Sequence, residues 1–313
     1  MREQARHWYR RRTTTADSWS VPALVDAKLR RGETISVVVP ARNEQASVGA
    51  VVRRIRDELV DAVPLVDELV VMDSLSSDST AAQATAGGAI VHSVADVRPE
   101  LGVHAGKGEA LWKSQFVTVG SVLVFVDADL TEWGPHFVTG LVGPLLADPA
   151  VLLVKGFYDR LLDVAPGTPS LEGGRVTELV ARPLLATRWP DLSAVVQPLA
   201  GEWAIRRRHF EQLSVPVGYG VEFATLIDTY SMRGLDAIAQ VDLGRRGHRH
   251  QNVHDLGVMA TEILTVADTR RDGPPVREVE LPQSDRSTPD GWRSRRVPTW
   301  ERPPGVLAAV SAC

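Results

Sequence analysis

Short apolar runs alternate with amphipathic stretches of helix length between residues 34 and 157, and this alternation constrains the fold more than any other feature. Parallel strands are buried on both faces, and a helix returns the chain to the start of the next strand. The pattern therefore predicts an α/β fold with a mostly parallel, doubly wound sheet flanked by helices. Strands are expected at residues 35–39, 68–72, 89–92, 122–126 and 151–157, with helices at 44–60, 79–86 and 107–119.

The alternation of strands and helices ends after residue 157. Pro and Gly predict a loop at residues 159–174, and the pattern after that loop is mainly helical. Residues 1–33 are expected to form an arm or a short helix docked on the domain, rather than a core element. Residues 270–313 carry clustered Pro, Arg, Asp and Ser, so we expect a disordered or loosely packed tail. Helices are expected at 175–189, 205–213, 221–233 and 253–267, and strands at 195–199 and 236–243.

The composition argues against several classes of protein. The 313 residues carry a formal net charge of −4, which does not favour broad nucleic-acid binding. No apolar run approaches the ~20 residues that cross a bilayer, and no apolar stretch follows the basic amino terminus as it would in a secretory signal. A single cysteine, Cys313, leaves no intrachain disulfide and no cysteine-based metal site. We therefore expect a soluble, cytoplasmic protein.

Two carboxylates follow the strand predicted at residues 122–126. Asp127 and Asp129 are two positions apart, so on an extended backbone both side chains lie on one side at the carboxyl end of the strand. Open α/β sheets bind ligands at that edge, and paired carboxylate oxygens suit Mg²⁺ or Mn²⁺, which in turn binds a diphosphate. The alternative is that both aspartates end the strand and cap a helix beginning near Pro135.

Two other predicted strands deliver polar residues to the same edge. The segment Pro40-Ala41-Arg42-Asn43-Glu44 can wrap a base, and Asp73 can accept hydrogen bonds from a base or a sugar. Asp73, Ser76, Ser77 and Asp78 are also typical turn and helix-capping residues. Three polar strand ends at one edge favour a nucleotide site over capping alone.

Two glycine-flanked segments place a cation at the start of a predicted helix, an arrangement that favours anions. Gly106-Lys107-Gly108 lacks the rest of a P-loop pattern, so a plain turn is the alternative. In Gly173-Gly174-Arg175-Val176-Thr177, the Arg175 and Thr177 side chains can bind a phosphate or carboxylate. The alternative there is a glycine hinge with a solvated arginine.

A basic segment at residues 245–250 follows the last predicted strand. Neutral imidazole is a good ligand for divalent cations, so His248 can join Asp129 around one ion while the flanking arginines meet phosphates. One alternative is a basic surface loop with an incidental histidine. Another is a zinc site of His248, His250 and His254, for which no further ligand set lies nearby in the sequence.

Taken in order, these motifs resemble those of the glucosyl-3-phosphoglycerate synthases of actinobacteria, which belong to glycosyltransferase family 81 and have a GT-A fold. The resemblance covers roughly residues 33–268. Segments 35–44, 73–80, 106–112 and 126–130 are shared with many GT-A enzymes, whereas 173–185 is much more specific. Further matching segments are 197–202, 218–222, 236–241 and 246–249.

This resemblance implies a retaining transfer of glucose from UDP-glucose to the 2-hydroxyl of D-3-phosphoglycerate, with Mg²⁺, by a homodimer. Residues 34–158 would form the nucleotide-sugar-binding half, and 159–269 the acceptor-binding half of the same domain. The metal ligands would be Asp129 and His248. The donor-binding residues would be Pro40, Ala41, Glu44, Asp73, Lys107, Asp127, Tyr219 and Arg246.

The acceptor would bind Gly174, Arg175 and Thr177, together with His250, which stands where the family usually has Asn. Ala200 is a milder departure, at a position where Ser is usual. The resemblance gives the central chemistry to Asp129, Arg175 and Glu222: the acceptor attacks from the face that the phosphate leaves, the leaving phosphate accepts the proton, and Glu222 orients the sugar.

Two alternatives stay open. One is a mannosyl-3-phosphoglycerate synthase that uses GDP-mannose, because the motifs do not resolve the contacts to base and sugar hydroxyls. The other is a catalytically silent nucleotide-sugar-binding protein, which the His250 departure favours. A polysaccharide synthase would usually bring membrane spans or a long acceptor groove, and the small anion pocket expected at Arg175 argues against it.

Overall fold

The computed structural model describes residues 2–165, 168–170, 174–247, 252–271, 273–289 and 291–310. Its strands are β1 Thr13–Thr15, β2 Ile35–Ala41, β3 Glu68–Asp73, β4 Ile90–Ser93, β5 Val122–Phe125, β6 Leu153–Ala165, β7 Thr168–Ser170, β8 Trp203–Arg206, β9 Val215–Pro216, β10 Ile238–Gly247, β11 Glu278–Ser284, β12 Trp292–Pro298 and β13 Glu301–Arg302. Its α-helices are α1 Glu3–Arg12, α2 Val21–Arg31, α3 Val48–Arg56, α4 Thr80–Ala86, α5 Lys107–Ser114, α6 His136–Ala147, α7 Arg182–Arg188, α8 Arg207–Phe210, α9 Val221–Arg233, α10 Val253–Thr269 and α11 Gly305–Val310. Across these ranges no helix combines the length and the apolar character needed to cross a membrane.

One mixed sheet forms the centre of the molecule, in the order β1-β10-β6-β8-β5-β2-β3-β4, with β7 beside β6. Neighbours along this path are parallel except at β8, which runs antiparallel to both β5 and β6. In β5, Leu123 and Phe125 pack into one apolar cluster, and Val122 and Val124 into the other. Alternate side chains of a strand point to opposite faces, so both faces of this sheet are covered. The predicted α/β fold with a mostly parallel sheet is confirmed.

The strands predicted at residues 35–39, 68–72, 89–92 and 122–126 coincide with β2, β3, β4 and β5 to within two residues. The sheet order places β3, β2 and β5 side by side and parallel. Their carboxyl ends therefore meet at one edge, as expected from the sequence.

The strand expected at residues 195–199 is wrong. The chain turns there, and the Ala200 N–H donates to the Gln197 carbonyl at 3.1 Å. The strand lies instead at β8, which is buried along its whole length, and the helix expected at 205–213 is reduced to α8. A short apolar run such as Trp203–Ile205 has no periodicity that separates a buried strand from a helical turn.

Strand β6 continues to Ala165, beyond residue 159 where a loop was expected. Its extension pairs with β10, with Asp159 opposite Arg245 and Arg246 opposite Arg160. The partner lies far away in the sequence, so local composition gave no signal of the extension. This pairing fixes Arg246 at the carboxyl end of β10, close to the end of β5.

The amino-terminal segment is embedded more deeply than the expected arm. Strand β1 pairs with β10 at the edge of the main sheet. Ala5 and Trp8 of α1 are almost completely buried, and the Trp8 indole N–H donates to the Ile238 carbonyl at 2.9 Å. Residues 3–15 therefore extend the sheet and cover part of its core.

The carboxyl-terminal segment was expected to be disordered or loosely packed, and disorder is wrong for the part that the structure describes. Strands β11 and β12 form a hairpin, and β13 pairs with β9. The Arg302 guanidinium donates twice to the Glu109 carboxylate, both times at 2.7 Å, and lies over the Trp112 ring. The residues of β9 and α5 that this segment contacts are distant in the sequence. Those contacts order the segment, and its own sequence therefore shows little periodicity.

We expect R302M to lower the free energy of unfolding by about 3 kcal/mol, because it leaves the fully buried Glu109 carboxylate without its main counter-charge. Urea unfolding measures the change. The matched control is R296M, since Arg296 is 83% exposed and pairs with Glu278 only at 3.9 Å; its effect should stay within about 0.5 kcal/mol. Equal effects of the two variants would show that the segment is not anchored through Arg302.

Candidate active site

A cavity of about 390 Å³ opens where β2, β3 and β5 end. The start of α5 and the segment after β9 form its opposite wall. Most of the donor and metal residues expected from the sequence lie in this lining. The lining residues are Pro40, Ala41, Arg42, Glu44, Ser74, Ala105, Gly106, Lys107, Asp127, Ala128, Asp129, Gly218, Tyr219, Glu262 and Pro298.

Lys107 connects the two walls of the cavity. Its Nζ lies 2.5 Å from Asp127 Oδ1 and 2.8 Å from Glu222 Oε1. Burial alone would lower the pKa of this ammonium, but the two carboxylates hold it well above its ordinary value. Lys107 is therefore a fixed positive charge beside the cavity.

Arg246 joins the aspartates to a buried polar network. Its Nη2 donates to Asp129 Oδ1 at 2.8 Å and to Asp127 Oδ2 at 3.1 Å. Its Nη1 donates to the Tyr158 hydroxyl at 2.6 Å and to Glu202 Oε2 at 3.2 Å. Burial would raise the pKa of Asp127, but Lys107 and Arg246 hold it well below its usual range. Asp127 is therefore ionised and held by two cations.

These contacts exclude the capping role considered for the two aspartates. Helix α6 begins at His136 and has no side-chain cap at its amino terminus. The carboxylates of Asp127 and Asp129 accept instead from the Lys107 and Arg246 side chains. Both aspartate side chains therefore face the cavity, although β5 ends at Phe125 and Asp129 lies in the turn that follows it.

Asp129 is suited to hold a divalent cation. Its side chain is 29% exposed and lines the cavity, and only its Oδ1 accepts a hydrogen bond from a residue that the structure describes. A hard carboxylate oxygen facing a cavity suits Mg²⁺ or Mn²⁺.

The expected second ligand, His248, lies outside the described residues, as do His250 and Gly173. Within the described ranges, no three His, Cys, Asp or Glu side chains cluster as a complete cation site. The zinc alternative requires the same two histidines, so it stays untested together with the Asp129–His248 pair.

Asp73 ends β3 beside Ser74, which lines the cavity. Asp73 Oδ2 accepts from the Ser76 N–H at 3.3 Å, whereas the buried Oδ1 has no hydrogen-bond partner within the described residues. A buried acceptor without a partner is uncommon in native proteins. Its place at the edge of the cavity fits an N–H or hydroxyl donor from a ligand.

In the Gly106-Lys107-Gly108 segment, α5 begins at Lys107, which lines the cavity together with Gly106. The N–H groups of Gly108 and Glu109 donate to the carbonyls of Gly218 and Val217, at 3.2 and 2.9 Å. A Cβ on Gly108 would lie 1.8 Å from the Pro216 carbonyl oxygen, so glycine permits this close approach. The Gly108 and Glu109 N–H groups are therefore used within the protein, and the Lys107 side chain carries the positive charge of this segment at the cavity.

The three described residues expected to bind the acceptor, Gly174, Arg175 and Thr177, are not among those that line the cavity. Gly174 has a left-handed φ of 87°, which favours glycine. Thr177 is buried at the start of the π-helical turn Thr177–Ala181, one turn before α7. Together with Arg175 they follow residues 171–173, which are outside the described ranges.

The two residues expected at the sugar are close together at the start of α9. Tyr219 lines the cavity and is 43% exposed. Glu222 is buried in the first turn of α9 and reaches the cavity wall through its ion pair with Lys107. The structure thus brings Glu222, Lys107 and Asp127 into one connected group.

Three buried polar residues behind the cavity were not predicted: Lys155, Tyr158 and Glu202. Lys155 Nζ donates to the Ala200 carbonyl at 2.7 Å, and burial lowers its pKa to about 7. Burial also raises the pKa of Glu202, which accepts from Tyr158 and Arg246. A lysine inside the apolar run at residues 151–157 is the one signal that could have revealed this network.

The fold and the site are those of a glycosyltransferase. The family model described as glycosyl transferase family 2 matches residues 36–212, more than half of the chain. A glucosyl-3-phosphoglycerate synthase from Mycolicibacterium paratuberculosis is 45% identical over 305 residues, covering 95% of this chain and 91% of the relative.

Solved structures agree. Glucosyl-3-phosphoglycerate synthase from Mycobacterium tuberculosis in complex with phosphoglyceric acid is 43% identical, with a TM-score of 0.84, and covers 95% of this chain and 99% of its own. A complex of that enzyme with Mn²⁺, UDP-glucose and phosphoglyceric acid is 43% identical, with a TM-score of 0.82, over 93% and 95% of the two chains. The chain belongs to the glucosyl-3-phosphoglycerate synthase family and has its GT-A fold.

Proposed function

We propose that this protein transfers glucose from UDP-glucose to the 2-hydroxyl of D-3-phosphoglycerate with retention of configuration. The observation that carries the proposal is the cavity at the ends of β2, β3 and β5, in which Asp127, Asp129 and Lys107 meet. The identity of the substrates is inferred from relatives at 43–45% identity, since one of them was crystallised with UDP-glucose and phosphoglyceric acid.

On the donor side, the base would lie against Pro40, Ala41 and Glu44, with a hydrogen bond to Asp73 Oδ1. A divalent cation, which we propose is Mg²⁺ or Mn²⁺ held by Asp129 and His248, supplies charge neutralisation at the diphosphate when bound. Lys107 and Arg246 add fixed positive charge at the same place, which stabilises the leaving phosphate.

On the acceptor side, we propose that Gly174, Arg175, Thr177 and His250 hold the phosphate and carboxylate of phosphoglycerate. A guanidinium binds such groups bidentately, which fixes the attacking hydroxyl beside the sugar. Glu222, held by Lys107, would orient the glucose, and the leaving phosphate would accept the proton from the hydroxyl. A homodimer stays a prediction, which light scattering can test.

The decisive experiment is identification of the product by mass spectrometry. We expect glucosyl-3-phosphoglycerate from UDP-glucose and 3-phosphoglycerate, little product from GDP-mannose, and none from either donor with EDTA. Product formed mainly from GDP-mannose would favour the mannosyl alternative. Donor binding by calorimetry without product from any phosphorylated acceptor would favour the silent binding protein.

We expect R175A to raise the KM for 3-phosphoglycerate by roughly 10- to 100-fold, the cost of losing a charge-assisted, bidentate contact. The dissociation constant of UDP, measured by calorimetry, should stay unchanged because Arg175 does not line the donor cavity. R188A is the matched control, since Arg188 ends α7 and pairs with Asp268 outside the cavity. An unchanged acceptor KM in R175A would remove Arg175 from the acceptor site.

A further inference from the structure

A second cavity of about 270 Å³ lies next to the donor cavity, between α10, the end of β12 and the start of β13. Gly218, Glu262 and Pro298 line both cavities and so form the wall between them. Glu262 is the ionisable group in this wall. It is 7% exposed and lies on the face of α10 that otherwise buries Ile263, Val266 and Ala267.

Among the residues that the structure describes, the Glu262 carboxylate is bound by a backbone N–H rather than by a cation. Its Oε2 accepts a hydrogen bond from the Tyr219 N–H at 2.5 Å. Burial raises the pKa of Glu262 to about 7 despite the hydrogen bond from the Tyr219 N–H. A buried acidic group without a cationic partner costs stability. Stability therefore does not explain a glutamate on this apolar helix face, and a role at the neighbouring cavity does.

The segment 218–220 is shaped around this carboxylate. A Cβ on Gly218 would lie 1.9 Å from Glu262 Oε2, and a Cβ on Gly220 would lie 2.7 Å from Val266 Cγ2 on the same helix. The segment leads directly into α9, which begins at Val221 and carries Glu222 in its first turn. Its backbone therefore determines where the Tyr219 and Glu222 side chains lie.

We propose that Glu262 is a positioning residue for the nucleotide sugar, whose carboxylate fixes the backbone of residues 218–220 and so holds Tyr219 and Glu222 at the sugar end of the donor cavity. This inference rests on the proposed function, because it takes the ligand of that cavity to be a nucleoside diphosphate sugar. Glu262 is expected to act on the sugar moiety alone, since the base and the diphosphate are expected at Pro40–Glu44, Asp73 and Asp129.

The test compares E262M with E262Q. Both keep the length of the side chain, but only glutamine keeps an oxygen that accepts the Tyr219 N–H. Calorimetry with Mn²⁺ gives the dissociation constants of UDP and of UDP-glucose, and kinetics give the KM for each substrate. T265A is the matched control, because Thr265 lies one turn further along α10 and lines only the second cavity.

We expect E262M to weaken UDP-glucose binding about tenfold while UDP binding changes less than about threefold, and E262Q and T265A to bind both like the unchanged protein. The KM for 3-phosphoglycerate should not change. The inference is overturned if E262M binds UDP-glucose normally, or if it loses UDP and UDP-glucose equally. E262D, which withdraws the carboxylate by one methylene, takes the place of E262M if that variant does not fold.

A failure of the Glu262 inference can be distinguished from a failure of the proposed glucosyl transfer. If the unchanged protein binds UDP-glucose but forms no glucosyl product, the proposed transfer fails while the binding comparison still decides the role of Glu262. If the unchanged protein forms product and E262M binds UDP-glucose normally, only the role of Glu262 fails.

Discussion

Replacing Asp129 with alanine is expected to lower kcat/KM by about 10³-fold or more while the protein stays folded. Asp129 presents a carboxylate oxygen to the cavity, and the neighbouring Asp127 carboxylate is already bound by Lys107 and Arg246. The fold should survive because Arg246 keeps its contacts with Asp127, Tyr158 and Glu202. Steady-state kinetics with UDP-glucose and 3-phosphoglycerate measure the loss.

Two further variants define what is lost. D129N keeps the shape of the side chain and an oxygen for the Arg246 hydrogen bond but is a weaker cation ligand, so it should lose nearly as much activity. D96A removes an exposed carboxylate beyond β4 that does not line the cavity, and its activity should stay within about twofold of the unchanged protein. Near-normal turnover in D129A would rule out Asp129 as a metal ligand.

Replacing Lys107 with methionine is expected to lower the free energy of unfolding by about 3–5 kcal/mol at pH 7 and kcat/KM by about 100-fold. The first effect arises because Glu222, which is 4% exposed, loses the only ion-pair partner that the described residues give it. The loss of activity is expected because, in the proposed function, Lys107 is a cation that faces the leaving group. Urea unfolding and steady-state kinetics measure the two effects.

The stability effect of K107M should depend on pH. Lys107 helps to hold the pKa of Asp127 in the folded protein below its value in the unfolded chain. The stability that this shift contributes is fully present at a pH above the unfolded pKa. It is lost as the pH falls through the folded pKa. The difference in free energy of unfolding between the unchanged protein and K107M should therefore become smaller below about pH 4. The double variant K107M/E222Q should recover part of the loss, because it removes the unpaired buried charge. A difference that stays constant with pH would contradict this electrostatic origin.

The first half of the fold could be predicted because its signals are local. Each of β2, β3, β4 and β5 is a short apolar run between a helix and a polar segment, which suffices to place it. Strand β8 and the extension of β6 could not be placed, because both are defined by partners far away in the sequence. The same reason explains why the pairing of β13 with β9 was missed.

The candidate site also contains some residues that local sequence predicts and others that it does not. Asp127, Asp129 and the residues after β2 follow strand ends, so the sequence indicates that they share an edge, and the structure brings them together. Local sequence suggested that Lys107 and the arginines of residues 245–250 meet anions, but nothing local shows that Lys107 and Arg246 contact the aspartates. Glu262 and Lys155 are single charges within apolar stretches, and only the packing of α10 and β6 reveals what they contact.

Diffraction from crystals grown with UDP-glucose and Mn²⁺, recorded at the manganese absorption edge, tests the proposed chemistry most directly. We expect one anomalous peak in the cavity, bound by the Asp129 carboxylate, the His248 imidazole and the diphosphate of the donor. A donor bound with no peak beside Asp129, or a peak bound by other residues, would contradict the metal-assisted transfer proposed for this protein.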